Sequence, residues 1–271
     1  MKSKIIPSSR LSAEANKKVA LPHFEERARE KQGVLSQGAE ATISLTSENQ
    51  ILKHRIKKSY RIKELDDKIR KLRTRNEAKL IELASKKINV PKIIESDEKT
   101  RKIKMEFING KKLSTNLDKF QLKEQKQICK QIGKNIFELH SLGIIHGDLT
   151  TSNMIYVPTS VSTKKLEQPS TKFIKDSSPL VSPKATELSG APCRKTGAEQ
   201  SFLIYFIDFG LAFRSEKPED RAVDLHLLRQ ALEAKHFKNW KGLFQQVLQN
   251  YKDKKVLEQL KKVESRGRYK H

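Results

Sequence analysis

His146-Gly147-Asp148-Leu149-Thr150-Thr151-Ser152-Asn153, followed far downstream by Asp208-Phe209-Gly210, sets three polar groups at spacings that one chemistry needs. An aspartate can orient an attacking hydroxyl or water, and an asparagine five positions on together with a second, distant aspartate are hard oxygen ligands of the kind Mg2+ selects. Asp148 is therefore the candidate catalytic residue, and Asn153 and Asp208 are the candidate metal ligands. Either motif alone is compatible with an ordinary turn; the two in this order point to one site.

Each motif sits in the setting it requires. Leu142 to Ile145 is a short apolar approach to His146, and Met154-Ile155-Tyr156-Val157 is a β-prone run directly after Asn153, so the polar groups lie on a loop between helix and strand. Phe202 to Ile207 is a second strand ending at Asp208, and a hairpin of the two would bring Asn153 and Asp208 together over one metal. Such a donor set is what phosphoryl transfer from a nucleotide requires.

Upstream, Ala41 to Leu45 and Ile51-Leu52 flank the turn-forming Ser47-Glu48-Asn49-Gln50 and predict a hairpin. Leu65, Ile69, Leu72, Leu80, Ile81 and Leu83 keep helical spacing with Glu77 in the same helix, and Lys92 to Asp97 with Arg101 to Phe107 read as a further strand pair. Ile128, Ile132, Ile136 and Leu139 make Gln121 to Ser141 an amphipathic helix stopped at Gly143, and helices over Val223 to Ala234, Trp240 to Tyr251 and Lys254 to Val263 close the chain. The expected architecture is α+β: a small two-lobed, protein-kinase-like fold with a β-rich lobe over residues 33–108, a helical lobe over 109–271 and no extended activation segment. Residues 1–32 are expected to be a flexible extension, residues 158–201, dominated by Ser, Thr, Lys and Pro, a disordered insertion, and residues 266–271 a basic tail.

At 271 residues with 36 % hydrophobic content the chain can bury a core unaided. No run approaches the roughly 18 apolar residues of a membrane span, and the start lacks a secretory stretch, so an intracellular soluble protein with no membrane partner is expected; the expected compartments are cytoplasm and nucleus, which this absence does not itself decide. Cys129 lies on an apolar helix face and Cys193 in a polar loop, which fits neither metal ligation nor a disulfide framework. Fifty-six Lys+Arg against 32 Asp+Glu leave +24, an excess that implies a polyanionic partner, nucleic acid first, with a solvated basic surface as the bland alternative. The density of Lys and Arg from Lys53 to Arg75 favours the former.

A phosphate grip needs a cation held rigidly. Lys53, ending Ile51-Leu52, is placed as the strand lysine that a helix glutamate, Glu77, would brace; Lys57 and Lys58 are the alternatives. Ser36 to Ala41 is a weak phosphate-covering loop with Gly38 alone where three glycines are usual. Met105-Glu106-Phe107-Ile108, at the end of a strand and before Asn109-Gly110, would form the lobe hinge, where main-chain groups such as those of Glu106 and Ile108 can pair with adenine. Two departures from ordinary protein kinases matter: Gly147 stands where an arginine would pair with a phosphorylated loop, and only 15 residues separate Asp208 from Asp224, too few for a peptide platform. Asp224 is expected to buttress the catalytic loop.

These pieces together resemble the small atypical, PRPK-type kinase-like subunit of the KEOPS (EKC) complex. The match runs through Gly38-Ala39-Glu40-Ala41, Lys53-His54-Arg55, Lys58-Ser59-Tyr60-Arg61, Arg73-Thr74 with Glu77-Ala78, His146 to Met154, Ile207 to Leu211, Pro218-Glu219-Asp220 with Val223-Asp224-Leu225, and Arg266-Gly267-Arg268. The resemblance implies a subunit that binds ATP and Mg2+, acts mainly as an ATPase and phosphorylates its own serines. Its partners would be the other KEOPS subunits, the threonylcarbamoyl transferase among them, and tRNA, whose adenosine beside the anticodon is modified. By position, Lys53 would bind phosphate, Glu77 would brace it, Asp148 would be the catalytic aspartate, and Asn153 and Asp208 would hold magnesium. Arg266, Arg268 and Lys270 of the tail would engage tRNA and the transferase. A stand-alone Ser/Thr protein kinase, a small-molecule phosphotransferase and a non-enzymatic tRNA-binding scaffold are the competing classes.

Overall fold

Short apolar and β-branched runs, separated by polar turns, pair into an antiparallel sheet. In the computed structural model, which describes residues 33–38, 40–159 and 202–267, the strands are β1 (Val34–Gln37), β2 (Ala41–Leu45), β3 (Gln50–Arg55), β4 (Ile93–Asp97) and β5 (Lys102–Glu106), in the order β1-β2-β3-β5-β4. Asn49, left-handed at φ 57°, turns β2 into β3, as the hairpin signal predicts. The two-residue period of β3 then sets Ile51, Lys53 and Arg55 on one face. Helix α1 (Lys63–Ala84) covers that face: Ala78 packs on Ile103 and Met105, while Lys53 and Arg55 meet Glu77. Two residues read as core are not: Leu65 is 51 % and Leu72 48 % exposed, and the buried positions of the helix include Asp66, Thr74 and Glu77.

The second lobe follows as β6 (Lys111–Lys112), α2 (Leu113–Asn116), a tight turn (Leu117–Lys119), α3 (Leu122–Ser141) and β7 (Ile144–Ile145). Next come a further tight turn (Thr151–Asn153), β8 (Met154–Pro158), β9 (Phe202–Phe206), β10 (Phe213–Arg214), α4 (Pro218–Lys235), α5 (Trp240–Gln249) and α6 (Lys254–Gly267). Its core joins Ile128, Ile132, Ile136 and Leu139 of α3 to Leu225, Leu228 and Leu232 of α4 and to Leu243 and Val247 of α5. Each such side chain contributes about 1.5–3 kcal/mol on burial. Gly133 permits the α3–α5 contact, because a Cβ there would run into the carbonyl oxygen of Val247.

The α+β, two-lobed architecture is the one expected, and α4 begins at Pro218, ten positions after Asp208, leaving no extended activation segment. Two boundaries shift. Pro158 pairs with Phe202 and so belongs to β8 rather than to the inserted segment, because a proline at a strand's end withdraws no donor that the hairpin needs. The last helix runs past Val263 through Arg266, which therefore is not part of a separate tail. The N-terminal extension, residues 160–201, Cys193, Arg268 and Lys270 lie outside the described residues.

Candidate active site

The site is assembled where the sheet of the first lobe faces the β8–β9 hairpin of the second. Ile207 N donates to the carbonyl of Asn153 at 2.9 Å, so the hairpin brings the backbones before Asp208 and at Asn153 together. Asp208 adopts a left-handed backbone, φ 62°, a conformation aspartate tolerates better than most residues, and its Oδ1 accepts from Gly210 N at 3.2 Å. The Lys53 ammonium reaches across from β3 to the same Oδ1 at 2.7 Å and to Glu77 Oε1 at 2.6 Å. Of its three donors, one remains for a phosphate oxygen.

Burial pushes Lys53 down, but the carboxylates of Glu77 and Asp208 outweigh it and hold the ammonium above its ordinary value of 10.5. Burial likewise pushes Asp208 up, and the Lys53 charge outweighs it, keeping the carboxyl below 3.8. Both groups are thus ionised across the neutral range.

Asp148 and Asn153 form a second pair. The Asn153 Nδ2 donates to the Asp148 carbonyl at 3.0 Å and to Asp148 Oδ2 at 2.9 Å, which leaves Asn153 Oδ1 as the end that can ligate a cation. Asn153 Oδ1 and the Oδ2 of Asp208 are hard, uncharged and charged oxygens on adjacent strand ends, a donor set suited to Mg2+. Asp224, fully buried in α4, accepts from His146 N at 2.8 Å and Gly147 N at 3.0 Å, buttressing the loop as expected. His140 sits between Asp224 (3.1 Å) and the Tyr251 hydroxyl (2.9 Å) and fixes that carboxylate in turn. Gly147 has φ 76°, and a Cβ there would strike the Leu211 carbonyl oxygen, so the loop closes only with glycine at this place.

Three of the expected nucleotide-site residues make no contact with this cluster. The Gly38 N–H is already committed to the Ala41 carbonyl at 3.0 Å, which removes the one glycine N–H that the covering loop was expected to offer a phosphate. The Glu106 carboxylate accepts from Lys92 N at 3.1 Å and lines an open depression of about 640 Å³ with Asn49, Gln50 and Phe107, which Lys53 does not line. Ile108 is buried. Arg266 pairs with Glu219 at 2.6 Å.

Sequence reasoning missed Arg55. Its Nη2 lies 2.5 Å from Glu77 Oε2, so the buried glutamate is held by a cation on each oxygen, and Arg55 also faces Glu40, which in turn pairs with Arg73 of α1. The period-2 alternation of Lys53-His54-Arg55 was the available signal. His236 was missed as well: it links Asp118 (2.9 Å) to Thr151 (3.3 Å) at the start of the Asn153 turn, a contact spanning too much sequence for pattern to reveal.

Known proteins share this framework. A RIO-domain family model matches residues 43–163. The KEOPS complex subunit Bud32 of Pyrococcus abyssi is 35 % identical over 253 residues, covering 87 % of this chain and 96 % of that protein. A probable serine/threonine-protein kinase BUD32 homolog of Archaeoglobus fulgidus is 33 % identical over 236 residues, 86 % of this chain and 94 % of its own. A probable bifunctional tRNA threonylcarbamoyladenosine biosynthesis protein of Methanobrevibacter smithii is 34 % identical, and there the chain spans 37 % of the relative's length. With near-complete coverage of two such relatives, the chain belongs to the Bud32 family of kinase-like KEOPS subunits.

Proposed function

We propose that the chain binds ATP with Mg2+ and hydrolyses it, with serine autophosphorylation as a side activity. It would do so as the kinase-like subunit of a KEOPS-type assembly that supports threonylcarbamoyl modification of the adenosine beside the tRNA anticodon. The supporting observation is Lys53, held by Glu77 at 2.6 Å and by Asp208 at 2.7 Å, in a chain that spans 96 % of a curated KEOPS subunit. Lys53 orients phosphate through its remaining donor, and Glu77, clamped by Arg55, keeps the ammonium in place. Asn153 Oδ1 and Asp208 would hold Mg2+, which when bound neutralises charge on the phosphate oxygens. Asp148, oriented by Asn153, aligns the attacking water or hydroxyl.

The partners in this proposal are the other KEOPS subunits, including the threonylcarbamoyl transferase, and tRNA. A cytoplasmic and nuclear location belongs to it, and among the described residues no helix is long and apolar enough to cross a membrane. Residues 33–108 and 109–271 would be the two lobes, and 1–32 an extension. A stand-alone protein kinase is disfavoured, since β10 pairs back onto β7 and α4 starts at Pro218, leaving little backbone to seat a peptide.

The test is ATP hydrolysis by the full chain, alone and with partner subunits and tRNA. Asp208→Asn and Asp148→Ala should each lower turnover at least about 100-fold, with cooperative unfolding retained, because each removes a charge acting on the transition state. Lys53→Ala should impair turnover while Lys57→Ala and Lys58→Ala do not. Undiminished hydrolysis by pure Asp208→Asn protein would refute the site.

A further inference from the structure

In the dense positive run from Lys53 to Arg75 the arginines are committed to ion pairs, and the charge left over is that of Lys57, Lys58, Lys63, Lys68 and Lys71. Arg55 is engaged by Glu77, Arg61 and Arg70 by Asp66, Arg73 by Glu40 and Arg75 by Glu98, and Lys53 is bridged twice. Uncommitted charge is found on the second lobe as well, there in a regular row. Lys123, Lys126, Lys130 and Lys134 of α3 recur at helical spacing, are all exposed, and have no ion pair among the described residues. They line a stripe roughly 16 Å long at 1.5 Å per residue.

At one end of the stripe, Lys126 joins the connection between α4 and α5. Leu122, Lys126, Phe237, Lys238, Trp240 and Lys241 line an open hollow of about 460 Å³ with no carboxylate in its wall. Phe237 is 70 % exposed. Trp240 lines the same hollow, its ring 5.3 Å from the Arg229 guanidinium and 5.7 Å from the Lys241 ammonium. An aromatic face standing in solvent among unpaired lysines matches the way single-stranded nucleic acid is bound, with bases stacked on rings and phosphates on cations. The centre of a protein–protein interface is, by contrast, depleted of lysine.

We propose that this face binds an unpaired segment of tRNA, one base stacking on Phe237 and the phosphates passing over Lys126, Lys238 and Lys241 onto the α3 stripe. The proposal rests on the KEOPS function above and assigns the RNA contact to a surface other than the C-terminal end of the chain.

The experiment titrates fluorescein-labelled, unmodified tRNA transcript with full-length chain at several ionic strengths, comparing Phe237→Ala with the triple variant Lys126→Gln, Lys238→Gln, Lys241→Gln. All the changed side chains are exposed, and thermal unfolding should match the parent. Phe237→Ala should weaken binding about tenfold with the salt slope unchanged. The triple variant should flatten the slope by roughly 0.7 for each lysine that meets a phosphate. Basal ATP hydrolysis should stay as in the parent, and ultraviolet crosslinking should attach tRNA to the peptide holding Phe237 and Trp240. Parental affinity and slope in both variants would overturn the proposal and leave the KEOPS function standing. Absence of tRNA binding by the parent, with partner subunits present, would defeat both. Normal tRNA binding with loss of partner association would make the face a protein dock and reject the RNA assignment.

Discussion

Gly147 shows how one atom decides what the catalytic loop can be. With φ at 76° and the Leu211 carbonyl in the space a Cβ would fill, Gly147→Ala combines left-handed strain with a backbone clash. It should cost at least about 2 kcal/mol in urea unfolding. An arginine at this place would meet the same obstacle, which explains physically why the chain departs from the ordinary kinase pattern. Arg55 makes the opposite point. Glu77 is 1 % exposed and its two oxygens take Lys53 and Arg55, so Arg55→Met leaves a buried carboxylate half-compensated. About 3 kcal/mol of stability should be lost, and turnover should fall because Glu77 is free to draw Lys53 away from phosphate. Equal stability of the Met variant in the same titration would contradict that account. The grouping of Lys53 with Glu77 and Asp208, and of Asp148 with Asn153, was legible because each motif carries its spacing locally. Arg55 and Glu40 were not, since which carboxylate a cation meets is fixed only once strand and helix have packed.

Helices α3 and α1 differ in how far periodicity describes them. The buried face of α3 is mainly apolar, with Gln125, Asn135 and His140 as its polar members, so Ile128, Ile132, Ile136 and Leu139 marked it correctly. Cys129 lies on that face with no exposure, and burial pushes its thiol up to about 12. In a Cys193→Ser background the native chain should therefore resist a thiol-specific disulfide reagent at pH 8, and the reagent should react at once when urea unfolds the protein. On α1 the same apolar reasoning misplaced Leu65 and Leu72, because buried positions of this helix are held by charge: Asp66 by Arg70 at 2.7 Å, Glu77 by two cations. Apolar period cannot see a helix face that is buried through ion pairs. The β8–β9 hairpin was read correctly across a long gap in sequence, since each strand carries its own apolar signal.

Arginine and lysine divide the chain's charge between two kinds of work. Among the described residues every arginine except Arg214 is within an ion pair, whereas of the lysines only Lys53 and Lys87 are. The planar guanidinium suits fixed bidentate contacts inside the fold, and the compact ammonium stays hydrated outside it. The net +24 evident from composition is thus chiefly a lysine field, while nothing in composition tells that the arginines are structural.

Dissolved electrolyte should therefore act on one population and spare the other. A Debye length of about 8 Å at physiological ionic strength shrinks to about 3 Å at 1 M, longer-range attraction from exposed ammonium groups fades first, and contacts made at hydrogen-bond distance in buried settings persist. Between 0.05 and roughly 0.5 M KCl, tRNA should leave the chain while the urea midpoint of the free protein scarcely moves. A parallel fall of both would mean that the arginine network, too, is open to screening.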